Sequence, residues 1–259
     1  MATNLIYTTI GYDIKWFNIV LIMLKSIEKY TIDKSVFDFL IICDECMYEF
    51  IINFIRDECQ FSFNVKVHNS NKNSSTPMFA SMNKLLIYDF EEISSYSKIL
   101  FIDGDIYSTL SLDKMFNNEL TDNILYVYKE KHDINEHKQI FWGLENYTDE
   151  DLEIFRQKSI YPFNCGIFLF NNTSEMKDDF TNIHNIILNH TGKFFYEQSF
   201  MNYYFNKKGS VCYDVITDEN YIMFPNFSIK YSEKIIHFCD AGNRNKLDTM
   251  LGYIRQHSI

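Results

Sequence analysis

The sequence predicts an α/β fold, a single domain over residues 1–259 with a central mixed, mostly parallel sheet flanked by helices. Three observations predict it. Apolar, β-branched runs alternate with stretches of helical period, two of those runs end in acids, and no repeat, low-complexity tract or Pro/Gly linker divides the chain. With 46% hydrophobic residues, 259 residues can bury one substantial core.

"NLIYTTI" (Asn4 to Ile10) reads as a first strand, closed by the turn Gly11-Tyr12-Asp13. Phe17 to Tyr30 has helical period and collects Lys25, Glu28 and Lys29 toward its end. "VFDFLIICDE" (Val36 to Glu45) is a fully buried strand, and the three segments make one βαβ unit. A helix from Met47 to Arg56 and a strand "FSFNVKVH" (Phe61 to His68) repeat the alternation. "NSNKNSST" (Asn69 to Thr76) is an exposed loop, after which Pro77 opens the helix "PMFASMNKLLIYDF". "KILFI" is the fourth strand. Beyond it lie an aromatic, polar middle (Leu125 to Tyr161), the strand "FNCGIFLFN" (Phe163 to Asn171), helices near Met176 to Asn189 and Glu197 to Phe205, and "IIHFCDAGNRNK".

Charge narrows the function. The chain has 35 Asp+Glu against 24 scattered Lys+Arg, a net of -11, so a nucleic-acid backbone would be repelled. "IVLIML" (Ile19 to Leu24) is too short to span a bilayer, and no basic leader precedes it, so a soluble, cytoplasmic protein is expected. Cys43, Cys46, Cys59, Cys165, Cys212 and Cys239 read as reduced core thiols, Cys43-x-x-Cys46 lacking the second pair that a zinc site needs.

The fourth strand runs straight into Asp103-Gly104-Asp105. Like charges a few ångströms apart destabilise a buried strand end unless something positive lies between them. Carboxylates suit Mn²⁺ or Mg²⁺, which complete their shells with phosphate oxygens, and the carboxyl ends of strands are where open α/β sheets bind ligands.

"YSKILFIDGDIYS" resembles the Asp-x-Asp strand of glycosyltransferase family 8, the glycogenin and bacterial galactosyltransferase group. "FNCGIFLFN" resembles the family's Asn-x-Gly strand, "YEQSFMN" its Asp-Gln helix start and "IIHFCDAGNRNK" its late His-Phe segment, in the family's order from about Leu5 to Lys246. The resemblance implies a GT-A, Rossmann-like fold, with the nucleotide part at about 1–110 and the sugar and acceptor part at about 111–259. It implies a retaining transferase that moves glucose, galactose or N-acetylglucosamine from a UDP-sugar to an acceptor the sequence does not name.

The same resemblance implies roles. Asp103, Asp105 and His237 are the ligands of Mn²⁺ or Mg²⁺; Asp103 also nears the ribose, and Gly104 keeps the turn open. Lys84 contacts the donor. Lys246, with Gly242 and Asn243, meets the diphosphate, although the family's run of His, two residues, Gly, two residues and Lys-Pro-Trp is here the longer "HFCDAGNRNKLD". Thr8 and Thr9 bond the base, on which either Tyr12 or Trp16 stacks. Asn164, Glu197 and Gln198 line the sugar side; Glu197 stands where the family has Asp, and Phe194 where some relatives carry another acid. A metal-dependent phosphoryl-transfer enzyme or nuclease, and a UDP-sugar-binding protein with impaired turnover, are the alternatives. A homodimer is left open.

Overall fold

Alternating strands and helices build the N-terminal half of the computed structural model, which describes residues 3–130, 148–157, 160–190, 196–239 and 245–258. The first elements are β1 (Asn4–Ile10), α1 (Trp16–Tyr30), β2 (Phe37–Cys43), α2 (Glu45–Glu58) and β3 (Val65–Asn69). Next comes α3 (Pro77–Ser81), capped by Thr76 Oγ1, which accepts the Phe79 N–H at 3.3 Å. It tightens into a 3₁₀ helix over Met82–Asp89. β4 (Lys98–Ile102), β5 (Ile106–Ser108), β6 (Leu125–Lys129), α4 (Asp149–Gln157), β7 (Phe163–Asn171), α5 (Ser174–Asn189) and α6 (Tyr196–Lys208) follow. The chain closes with β8 (Val211–Cys212), β9 (Tyr221–Met223), β10 (Ile235–His237) and α7 (Lys246–His257).

The main sheet has the order β3-β2-β1-β4-β7-β6-β8. Strands β3, β2, β1 and β4 are parallel, β7 runs antiparallel to both neighbours, and β8 is parallel to β6. Successive side chains of β1 and β2 serve opposite faces, as a sheet covered on both sides requires. Ile6, Ile10, Phe39 and Ile41 pack with Phe17, Val20 and Met23 of α1, while Leu5, Tyr7, Leu40 and Ile42 pack with Phe101, Phe168 and Phe180. No helix among the described residues is long and apolar enough to cross a membrane.

Three expectations need correction. The third strand begins at Val65 instead of Phe61. Phe61 and Phe63 stack at 5.3 Å, Phe63 reaches the Phe37 and Phe39 rings, and the Glu28 carboxylate holds the Ser62 N–H at 2.9 Å, so these aromatics plug the core from a loop. The aromatic middle contains an unanticipated strand, β6, and helix α4. All six cysteines are free, but only Cys43 and Cys165 are buried and Cys46 is exposed, because it lies on the outer side of the first turn of α2.

The topology creates a crevice. From β1 the chain moves outward through β2 to β3, then returns to pair β4 with the other side of β1, so the carboxyl ends of β1 and β4 face a switch point. Asp44, buried at the end of β2, secures one wall of it. Its carboxylate accepts the Tyr12 N–H at 2.8 Å, the Ser74 N–H and hydroxyl at 2.9 Å, and Asn83 Nδ2 at 2.8 Å. Gly11 fits beneath because a Cβ there would lie 2.8 Å from Ala80 Cβ and 3.0 Å from both Asp44 oxygens. Asp44→Ala strands these donors and is expected to lower unfolding free energy by about 2–4 kcal/mol in urea titration. A loss below about 0.5 kcal/mol, the ordinary surface value, would contradict this role.

Candidate active site

Asp103-Gly104-Asp105 carries the chain out of the main sheet and into a second one, of order β5-β10-β9. That crossing brings distant residues together. β10 pairs antiparallel with β5, placing His237 opposite Ile106, and the Phe238 N–H donates to the Asp105 carbonyl at 3.1 Å. The Asp103 N–H donates to the Gly166 carbonyl of β7 at 2.7 Å. His237 Nε2 consequently lies 3.1 Å from Asp105 Oδ1 and 3.7 Å from Asp103 Oδ2. One donor atom from each of Asp103, Asp105 and His237 falls within 4.8 Å of the others, two oxygens and a nitrogen, a donor set that fits a divalent cation such as Mn²⁺ or Mg²⁺.

Two lysines flank the group. Asn245 Oδ1 caps α7 by accepting the Leu247 N–H at 3.0 Å, and Lys246 in the first turn bonds Asp105 Oδ2 through its ammonium. Burial pushes the Asp105 carboxyl up, but His237 and Lys246 outweigh burial and hold it below the ordinary range. Burial raises Asp103 above its usual value, Lys84 offsetting only part of the effect. Lys84 is itself buried. Its Nζ lies 2.5 Å from Glu197 Oε1, 3.5 Å from Asp103 Oδ1 and 3.2 Å from the Cys165 carbonyl, and Tyr7 fixes its backbone by donating to its carbonyl at 2.9 Å. Burial works against the ammonium charge, yet Asp103 and Glu197 hold the Lys84 pKa above the ordinary lysine value.

The residues expected on the sugar side gather beside these. Gln198 Oε1 accepts the Cys165 N–H at 3.0 Å. Glu197 Oε2 is buried with no hydrogen-bond partner among the described residues. Asn164 is engaged by protein: its Oδ1 accepts the Gly166 N–H at 2.8 Å and its Nδ2 reaches Glu130 Oε1 at 3.4 Å. At the end of β1, Thr8 Oγ1 is likewise buried and unpartnered among the described residues, about 4.0 Å from where a Cβ on Gly104 would stand. Thr9 is half-buried. Tyr12 is 50% exposed with φ 68°, whereas Trp16 is half-buried against the core and carries the Lys246 ammonium 5.2 Å from its ring centre. Gly242, Asn243 and Phe194 lie outside the described residues.

The sequence model of glycosyl transferase family 8 matches residues 7–242. This chain belongs to glycosyl transferase family 8. A search of curated proteins finds no match. Among solved structures, the bifunctional glycosyltransferase WbbM in its apo form shares 16% identity at a TM-score of 0.63, covering 99% of this chain and 50% of WbbM. The galactosyltransferase LgtC, in complex with donor and acceptor sugar analogues, shares 15% at 0.62, covering 98% and 95%. A glycosyltransferase involved in glycosylating the major capsid of PBCV-1 shares 12% at 0.54, covering 99% of each chain. The chain thus spans about half the length of WbbM and nearly all of LgtC. At these identities the likeness shows the fold, that of the GT-A glycosyltransferases.

Within this family 8 chain, two site residues escaped the sequence reading. Gly166 closes the Asn-x-Gly motif, but its steric task is not legible there. A Cβ on it would sit 2.2 Å from His237 Cε1, 2.8 Å from Asn164 Oδ1 and 2.9 Å from Asp103 Oδ2, so only glycine lets the imidazole approach the acids. The other is Tyr221, whose buried hydroxyl bonds His237 Nδ1. Gly166→Ala is expected to displace the His237 ring from Asp105 and to shift its ring proton signals in nuclear magnetic resonance, because the added Cβ would lie 2.2 Å from His237 Cε1. Unchanged His237 signals in a folded variant would contradict that steric account.

Proposed function

We propose that this chain is a retaining glycosyltransferase that moves a hexose, glucose, galactose or N-acetylglucosamine, from a UDP-sugar to an acceptor, with Mn²⁺ or Mg²⁺ held by Asp103, Asp105 and His237. The convergence of those three donor atoms within 4.8 Å, at the carboxyl end of β4, carries the reading. When bound, the ion supplies positive charge to the diphosphate of the donor.

The chain's own residues supply the rest. Thr8 offers its unpartnered hydroxyl to the nucleoside, and Tyr12, with an open ring face, is the better stacking partner for uracil because Lys246 already occupies a position over Trp16. Lys246 can follow the diphosphate as negative charge develops on it, a contribution that grows toward the transition state. Lys84 fixes Glu197 and Asp103 with one buried ammonium, and the free Glu197 Oε2 accepts a sugar hydroxyl. The Cys165 N–H holds one end of the Gln198 amide, leaving Nε2 to meet a sugar oxygen near the anomeric carbon. As the bond from that carbon to the diphosphate breaks, the acceptor hydroxyl attacks on the same face and passes its proton to the departing phosphate oxygen.

A phosphoryl-transfer enzyme or nuclease would want a third acid among the donor atoms. Glu197, a further carboxylate beside the group, is turned to Lys84 instead. Purified protein with UDP-glucose, UDP-galactose or their N-acetyl forms is expected to release UDP only with Mn²⁺ or Mg²⁺, and Asp103→Asn or Asp105→Asn to cut release about 100-fold or more. Absence of both binding and release for all four donors would overturn the proposal, and binding without release would leave a sugar-nucleotide-binding protein.

A further inference from the structure

Tyr221 lies in β9, fully buried, and no step above uses it. β9 and β10 are parallel, with Tyr221 opposite Ile235 and Met223 opposite His237, so Tyr221 and His237 sit two positions apart on one side of the small sheet. The Tyr221 hydroxyl bonds His237 Nδ1 and stands 3.4 Å from Asn164 Oδ1. Its ring is held from behind by Tyr128, with centroids 4.7 Å apart, and Tyr128 is anchored by donating to Asp218 Oδ1 at 2.6 Å.

We propose that Tyr221 is a positioning residue that fixes the rotation of the His237 ring in either tautomer, so that Nε2 is the atom offered to the ion; this rests on the reading of Asp103, Asp105 and His237 as ligands. A hydroxyl suits the task because it donates and accepts. With the proton on Nε2, that nitrogen donates to Asp105 Oδ1, 3.1 Å away, and Nδ1 accepts the Tyr221 proton. When Nε2 turns its lone pair to a metal, the ring proton resides on Nδ1 and donates to Tyr221, whose own proton turns to Asn164 Oδ1. Both arrangements leave the buried ring satisfied, and neither requires it to rotate. Gly166 and Tyr221 therefore divide the work, one admitting the ring and the other orienting it. The same chain of contacts joins the ligand to Asn164, on the sugar side of the crevice.

The test is a cycle of Mn²⁺ affinities, measured by electron paramagnetic resonance on the purified chain, for wild type, Tyr221→Phe, His237→Ala and the double variant. Tyr221→Phe keeps the ring and is expected to weaken binding about 10–100-fold, His237→Ala at least as much, and the double variant no more than His237→Ala alone. Unchanged affinity in Tyr221→Phe, with His237→Ala impaired, overturns the inference and leaves the ligand reading standing. Equal losses from Tyr221→Phe in both backgrounds overturn it too, since a general structural role does not act through His237. A wild type that binds no Mn²⁺, or is indifferent to His237→Ala, removes the ligand reading and this inference together. Should Tyr221→Phe not fold, proton spectra of the wild type decide. A slowly exchanging Tyr221 hydroxyl proton with a through-space contact to the His237 ring is expected, and a freely exchanging one overturns the proposal.

Discussion

Two carboxylates forced together at a partly buried turn are the constraint from which the rest of this site follows. Asp103 ends a strand of the main sheet and Asp105 begins the approach to the small sheet, with only Gly104 between them. In low dielectric such a pair is unstable without positive charge or donated hydrogen bonds around it. The fold supplies both from remote parts of the chain. Lys84 comes from the 3₁₀ helix before β4, His237 from β10 and Lys246 from the first turn of α7. Each faces a different carboxylate oxygen, so the acids are compensated from several sides.

The arrangement also gives the Glu197 substitution a physical meaning. Glutamate is one methylene longer than the aspartate usual in the family, and here its Oε1 reaches Lys84 at 2.5 Å while Oε2 remains unpartnered among the described residues. Lys84 is thereby shared between Glu197 and Asp103. Removing one member of so buried a network leaves an uncompensated charge, so the three residues behave as a unit.

Much of this was legible in the sequence because buried parallel strands announce themselves as continuous apolar runs. β1, β2 and β4 follow that rule, the antiparallel but equally buried β7 shows the same apolar run, and Asp103 and Asp105 stand out by ending such a run in acids. His237 was found by family resemblance, since "IIHF" by itself reads as core. What escaped depends on pairings too short to leave a pattern. The β9 and β10 strands have three residues each, and nothing in "YIM" marks Tyr221 as the partner of a histidine sixteen positions later. Gly166 is similar: its requirement comes from the approach of a ring 71 residues away in sequence, which local turn chemistry does not encode. Phe61 and Phe63 misled in the opposite sense, looking like strand residues while serving as loop-borne plugs.

The central claim, that Asp103, Asp105 and His237 together hold a divalent ion that grips a nucleotide diphosphate, is most directly tested by pulsed electron paramagnetic resonance of Mn²⁺ on the wild-type protein with and without UDP. The account predicts a bound ion coupled to one imidazole nitrogen, with phosphorus couplings appearing when UDP is added. Bound Mn²⁺ showing no nitrogen coupling, or no phosphorus coupling in the presence of UDP, would contradict it.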